Sequence, residues 1–491
     1  MLFTSITFVF FFTTVFLLYW VVFKRNLTFQ NRFLLLCSYI FYGWWDWRFL
    51  ILLFCISFAN FVIAILIQKK EYSFHRKLLF LTGLIINIGT LVFFKYFDFF
   101  TDGFMLLTSS LGFTVSRFST GIMLPVGISF YIFISMSYLI DVYQKKFAAA
   151  NNFFEALLAF SFFPVILAGP IQRPISLLPQ IQKSRIFNYG NATDGLRQIL
   201  WGLFMKMVIA DNCVPYVDDI FTNFSNYEGS TLIVGVILFT VQIYADFAGY
   251  SNIAVGIGKL LGFQLMQNFS FPYFSLNIKE FWKKWNISLT TWFRDYVFLP
   301  IAYSVSRKIK SERFCLIKTD FVIYIIGIAI TWFLTGLWHG ANYTFIIWGL
   351  IHGFFLIVYH LSLKPRRKLL GRLNVSGKNP VLLGFEYLVT MIIIMMAWIF
   401  FRADDVHIAI QYIFKICSLS AFASPITVPN NIIILIILFF VVEWIGRKQE
   451  YAIACTMAGR PKIIRWLFYY IIILTIFYYS GTEQKFIYFQ F

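Results

Sequence analysis

Five histidines occur in 491 residues, and one stands where an ionisable ring is costly to place. His339 lies in the run Trp332-Phe333-Leu334-Thr335-Gly336-Leu337-Trp338-His339-Gly340, at the junction of two apolar stretches. Ionisable groups within membrane-length apolar segments are rare and point by default to proton or substrate chemistry. Imidazole is the side chain best matched to moving a proton near neutral pH. Gly336 and Gly340 beside it let a second backbone or a ligand approach closely. From sequence alone, a histidine in a surface turn is an equal alternative. Further along, His352 sits in Trp348-Gly349-Leu350-Ile351-His352-Gly353, where a hydrogen-bonded packing role competes with a place on a substrate path. His75 and His360 adjoin basic loops and His407 adjoins Asp404 and Asp405, so these three read as solvated or interfacial.

Upstream, residues 280–296 mix tryptophans with charges. Trp282, Trp285, Leu289, Trp292 and Tyr296 recur every three or four positions, which predicts one amphipathic helix with an aromatic face and Lys283 and Lys284 pointing elsewhere. An interfacial helix with a tryptophan belt satisfies that pattern. A sharper reading turns Asn286 inward, to orient a substrate or the His339 ring. Polar islands at residues 124–131 and 244–252 bring Asp246 and Ser251 into apolar surroundings, and with Trp285, Trp338 and His352 they are candidates for lining a substrate channel; Asp246 also fits a simple helix cap. No Walker loop, dinucleotide fingerprint, zincin motif or hydrolase elbow occurs. Cys37, Cys55, Cys213, Cys315, Cys417 and Cys455 lie far apart, so neither a disulfide framework nor a metal site is expected.

The elements that must hold these residues are membrane helices. The chain is 60% apolar, 21% aromatic and 13% charged, with a mean hydropathy of +0.76, whereas soluble domains are about 45–50% apolar and about 25% charged. Its +19 net charge sits in short clusters such as Lys69-Lys70, Lys145-Lys146 and Arg366-Arg367-Lys368 between apolar runs. That is the pattern of cytoplasmic membrane loops, and it leaves no solvated basic face for nucleic acid.

A bilayer core of about 30 Å needs about 20 helical residues. This ruler predicts spans near 5–23, 31–47, 49–68, 77–99, 120–140, 230–250, 320–338, 341–361, 380–402, 430–447 and 463–479. The first is read as a retained span, not a signal peptide. Segments 153–172, with Pro164, Gly169 and Pro170, and 195–215, with Arg197, Lys206 and Asp211, read as half-spans or interfacial helices lining an internal vestibule. The expected fold is a single all-α domain over residues 1–491, a polytopic bundle with about 12 crossings by that ruler. Basic loops on alternate sides set the N-terminus outside the cell.

At this point a resemblance enters. Residues 281–300, FWKKWNISLTTWFRDYVFLP, followed by TGLWHGANYTFIIWGLIHG at 335–353, resemble the membrane-bound O-acyltransferase family. LPVGISFYIFISMSYLIDVYQ, FFPVILAGPIQRP and YADFAGYSNIAVGIGKLLGF follow that family's order, so the likeness spans residues 120–360, and it is strongest to the bacterial polysaccharide O-acetylase branch. The resemblance implies a funnel or tunnel through the bundle and a multi-pass protein of the cytoplasmic (inner) membrane. It implies acetyl-CoA as donor substrate with no permanently bound cofactor, a polysaccharide acceptor, and a separate extracytoplasmic esterase-like acetyltransferase that receives the acetyl group. His339 matches the family's catalytic histidine. Asn286 falls on the second motif position, where the branch usually has His. The basic stretch Arg307 to Arg313 would meet the donor's phosphates, and the aromatic run Tyr42-Gly43-Trp44-Trp45-Asp46-Trp47 would dock the partner, against the simpler reading of a membrane-interface belt. A polysaccharide or lipid-linked sugar exporter and a lipid acyltransferase are the alternatives.

Overall fold

The computed structural model describes the chain apart from residues 71–72, 114–122, 310, 315–316, 458, 482–483, 485 and 488–491. The start of the expected 120–140 span, Lys310 of the basic loop and Cys315 therefore lie outside the described residues. Among the described residues, seven helices are long and apolar enough to cross a bilayer: Arg48–Lys69, Phe74–Ser110, Gly229–Leu260, Thr319–His339, Tyr343–Arg372, Pro380–Arg402 and Lys462–Tyr479. Shorter apolar helices cover Ile6–Val22, Ile128–Tyr143, Phe153–Ile166, Val406–Ile416 and Asn430–Gly446. The chain is a helical, multi-pass membrane protein. The one departure from helix among the described residues is a small hairpin, Arg313–Phe314 paired antiparallel with Ile317–Lys318.

Segment 153–172 is interrupted as expected, with helices Phe153–Ser161 and Phe163–Ile166 meeting at Phe162. Segment 195–215 behaves differently: helices Tyr189–Leu203 and Asp211–Thr222 are joined by a wide-turn helical stretch, Phe204–Ala210. Two of the charges that argued against a continuous helix there, Lys206 and Asp211, neutralise one another. Lys206 Nζ lies 2.7 Å from Asp211 and 2.8 Å from Asp246. A lone buried ion is prohibitively costly, whereas one held by partners is tolerated.

The backbone packs as two compact units, residues 1–199 with 253–266 and residues 200–252 with 267–491. In the first, buried polar groups tie apolar helices together. Asn60 and Asn87 exchange amide hydrogen bonds at 2.8 and 3.2 Å. Arg185 donates to Gln30 and Asn31, and Tyr19 and Trp20 donate to the carbonyls of Leu261 and Leu260. In the second, Trp201 and Tyr244 both donate to the buried Glu443, at 3.1 and 2.6 Å.

The second unit's centre is the antiparallel pair Thr319–His339 and Tyr343–Arg372. Lipid is as apolar as leucine, so membrane helices associate through close packing, and glycine permits the closest. A Cβ on Gly349 would overlap the Trp332 carbonyl oxygen and lie 3.1 Å from Gly336 Cα, while one on Gly336 would overlap the Phe345 carbonyl oxygen. Backbone therefore meets backbone at this crossing. Gly349→Val should force the pair apart and destabilise the protein by about 1–3 kcal/mol. Thermal unfolding in detergent checks this against Gly384→Ala, where an added Cβ meets nothing within 4 Å and stability should hold.

Candidate active site

His339 is the last residue of its helix, and only Gly340, Ala341 and Asn342 separate it from the next. Asn342 fixes that turn: its side chain accepts from the Thr344 amide at 3.0 Å and donates to the Asp404 carbonyl at 2.8 Å. The imidazole is 5% exposed. Its ring centre lies 4.8 Å from Trp338, 4.7 Å from Trp348 and 5.1 Å from Phe401. The surface-turn alternative is therefore excluded for His339.

Trp348 packs against both histidines, its ring centre 4.7 Å from His339 and 4.9 Å from His352. His352 is fully buried. Its Nδ1 accepts from Trp282 Nε1–H at 3.3 Å, which leaves the proton of the neutral ring on Nε2. Neither that Nε2 nor the indole nitrogens of Trp348 and Trp398 has a hydrogen-bond partner among the described residues. Buried donors are nearly always satisfied, so three together mark a place where an acceptor belongs.

A cavity of about 530 Å³ adjoins this cluster. Tyr324, Ile328, Thr331, Trp332 and Thr335 form one wall. Tyr324, Ile328, Thr331 and Thr335 follow the i, i+4, i+7, i+11 row of one helix face with Trp332 beside it at i+8; His339, four residues past Thr335, continues that row but is not among the cavity's lining residues. From Tyr324 to Thr335 the row is about 16 Å long at about 1.5 Å per residue. Trp282 forms part of the opposite wall, where Lys279, Lys283 and Arg294 supply the cations. Sequence reading missed Lys279 and Arg294 as site residues, although the helical row leading to His339 was visible in the spacing.

The expected single helix across 280–296 does not form. Helix Ile278–Lys284 ends, Trp285 is extended, and Asn286 takes a left-handed backbone at φ 42° before helix Ile287–Phe293 begins. Asparagine tolerates that conformation better than most residues. The break is pinned to neighbouring backbone, since the Ile287 amide donates to the Asn268 carbonyl at 2.9 Å and that of Ser270 to Lys284 at 3.0 Å. It turns Trp282 and Lys283 to the cavity while Lys284 pairs with Glu280 at 2.7 Å. The Asn286 side chain is buried but makes no hydrogen bond to His339.

The remaining candidates separate. Trp285 packs against Phe269, Phe281 and Trp398, away from the cavity's lining. Asp246 is no helix cap: it lies within helix Gly229–Leu260, paired with Lys206 and accepting from the Ile487 amide at 2.8 Å. Ser251 is buried on that same helix, and Trp338 stacks edge-on against His339.

Comparison with known proteins gives the family. The profile of the membrane-bound O-acyltransferase family matches residues 152–370. The chain is 32% identical to the probable alginate O-acetylase AlgI of Azotobacter vinelandii, over 94% of this chain and 88% of that protein. It is 31% identical to the peptidoglycan O-acetyltransferase of Helicobacter pylori, over 84% of this chain and 79% of that one. A teichoic acid D-alanyltransferase of Bacillus subtilis is 29% identical over half of the chain. With likeness of this extent running through the histidine hairpin and the broken helix before it, the chain belongs to the membrane-bound O-acyltransferase family.

Proposed function

We propose that this acyltransferase moves an acetyl group from cytoplasmic acetyl-CoA to a hydroxyl destined for a cell-surface or exported polysaccharide. The observation that carries the reading is that five residues of the helix ending in His339 line the cavity, the last of them, Thr335, one helical turn before that histidine. An elongated anionic donor fits such a cavity, its phosphates at Lys279, Lys283 and Arg294 and its thioester toward Thr335. That the family's acyl chemistry is here an acetylation rests on the likeness to the alginate and peptidoglycan enzymes.

A thioester is already activated, so the protein has three tasks: to align it, to take a proton and to hold the developing charge. His339 accepts the proton of the acceptor hydroxyl as the new C–O bond forms. The carbonyl oxygen, now an oxyanion, draws on the buried indole N–H donors of Trp348 and Trp398, and the Asn286 amide is a further candidate. Collapse breaks the C–S bond, and the imidazolium returns its proton to the departing thiolate. His352 acts as a positioning residue, by holding Trp282 as a wall of the donor cavity. Trp338, Asp246, Ser251 and Trp285 stand outside the lining of the donor cavity, Trp338 bordering the His339 ring.

The acceptor is proposed to be reached through a separate extracytoplasmic esterase-like protein that carries the acetyl group to the glycan. Support comes from the turn before helix Arg48–Lys69, where Trp44, Trp45 and Trp47 are all at least half exposed. The basic-loop rule puts that turn outside the cell, in keeping with a cytoplasmic-membrane location.

His339→Ala should abolish acetate transfer while the protein stays in the membrane; glycan acetylation persisting at normal expression refutes the reading. Acetyl-CoA should be used in strong preference to long-chain acyl-CoA, and the reverse order in a reconstituted assay would make the enzyme a lipid acyltransferase. Trp282→Phe and His352→Phe should each raise the KM for acetyl-CoA with a smaller effect on kcat, by about the tenfold expected for losing one buried hydrogen bond. The double variant should add little to either. A loss in kcat alone would place His352 in the chemistry instead.

A further inference from the structure

A second cavity, of about 760 Å³, lies on the other side of the Ile278–Lys284 helix from the first and shares no lining residue with it. Lys279, Trp282 and Lys283 face the first cavity, whereas Glu280 and Lys284 face the second. Nothing from the two histidine-bearing helices lines it. Its walls come from the ends of two other helices, Leu383, Gly384 and Tyr387 from Pro380–Arg402 and Trp444 from Asn430–Gly446, with Arg447 and Lys448 just beyond.

We infer that this cavity binds the headgroup of an anionic phospholipid of the leaflet that faces the cytoplasm. Charge is the first reason. Of the lining cations, Lys284 is neutralised by Glu280 at 2.7 Å, and the other Glu280 oxygen accepts from the Leu276 amide. Arg447 and Lys448 are left in surplus, the guanidinium lying 3.8 Å over the Trp444 ring. Two cations beside an aromatic wall suit a phosphodiester on an apolar body.

The second reason is where the cavity opens. Phe385 and Ile445, next in sequence to its lining residues, are each more than 60% exposed, as lipid-facing residues are. Phe274 and Trp444 pack edge to face at 5.1 Å within it. Basic residues in the last turns of Tyr343–Arg372, Lys364 to Arg372, and just after Asn430–Gly446, Arg447 and Lys448, place this end at the cytoplasmic surface by the basic-loop rule. The volume falls in the range of about 300–1,000 Å³ that encloses a small ligand. It holds a headgroup and glycerol, with the acyl chains left in the bilayer.

The test is native mass spectrometry of the full chain released from nanodiscs containing equal phosphatidylglycerol and phosphatidylcholine. The wild type should retain phosphatidylglycerol in at least about tenfold excess, in line with two cations each contributing about fivefold near an anionic surface. Arg447→Gln with Lys448→Gln should abolish that excess. Gly384→Trp, at a position where an added side chain meets open space, should displace the lipid with both cations intact. Equal retention of the two lipids by the wild type, or an unchanged excess in both variants, overturns the inference. Displacement of the lipid by coenzyme A overturns it too, because the cavity would then belong to the soluble donor. Acetyl transfer by the charge variant, measured alongside, separates this result from failure of the proposed function, since neither residue lines the donor cavity.

Discussion

Everything at the centre of this protein depends on two glycine-lined helix faces meeting backbone to backbone. Gly336 and Gly349 let the Thr319–His339 and Tyr343–Arg372 helices come closer than side chains would allow. A three-residue turn, fixed by Asn342, then leaves both histidines on facing surfaces with Trp348 packed against both. In a bilayer no hydrophobic force drives such a contact, so its stability comes from dispersion between close surfaces. That makes the site sensitive to volume at a few positions and insensitive to the apolar residues facing lipid.

Around this pair the protein handles polarity in two ways. Away from the site, buried charges are closed into sets, Lys206 with Asp211 and Asp246, Glu443 with Trp201 and Tyr244, and Arg185 with Gln30 and Asn31. Near the site, the indole N–H groups of Trp348 and Trp398 are buried without acceptors among the described residues. The first arrangement stabilises a packed interior, and the second is preorganised for an oxygen that arrives with the substrate. The short Ile278–Lys284 helix parts two cavities with different surroundings, one leading to the histidine helix and one bordered by lipid-facing residues. Its sequence alternates the residues each side requires.

Much of this was legible beforehand. Hydropathy over membrane-length windows located the helices, because a lipid-facing helix must be apolar over most of its circumference. The 335–353 segment announced itself through a histidine amid tryptophan and glycine, and that reading agrees with the buried ring seen here. The 280–296 segment misled for an identifiable reason. Its tryptophans keep helical spacing, yet one residue in a left-handed conformation divides it. Periodicity does not register such a break, because the backbone hydrogen bonds that hold it come from outside the segment, from Asn268 and Ser270. Lys206 misled likewise: a charge reads as an interruption until its partners, one of them 40 residues away on another helix, are known.

By itself, the sequence determined the membrane class, the positions of most spans and the family likeness, since each is written in local composition or in a contiguous motif. The tertiary structure alone decided which face of the histidine helix borders a cavity, which tautomer His352 adopts, why Asp246 is bound to Lys206, and that one short helix separates two pockets. Those properties depend on distances between residues far apart in the chain. In a low-dielectric interior such distances set whether a polar group is paired or waiting for a ligand.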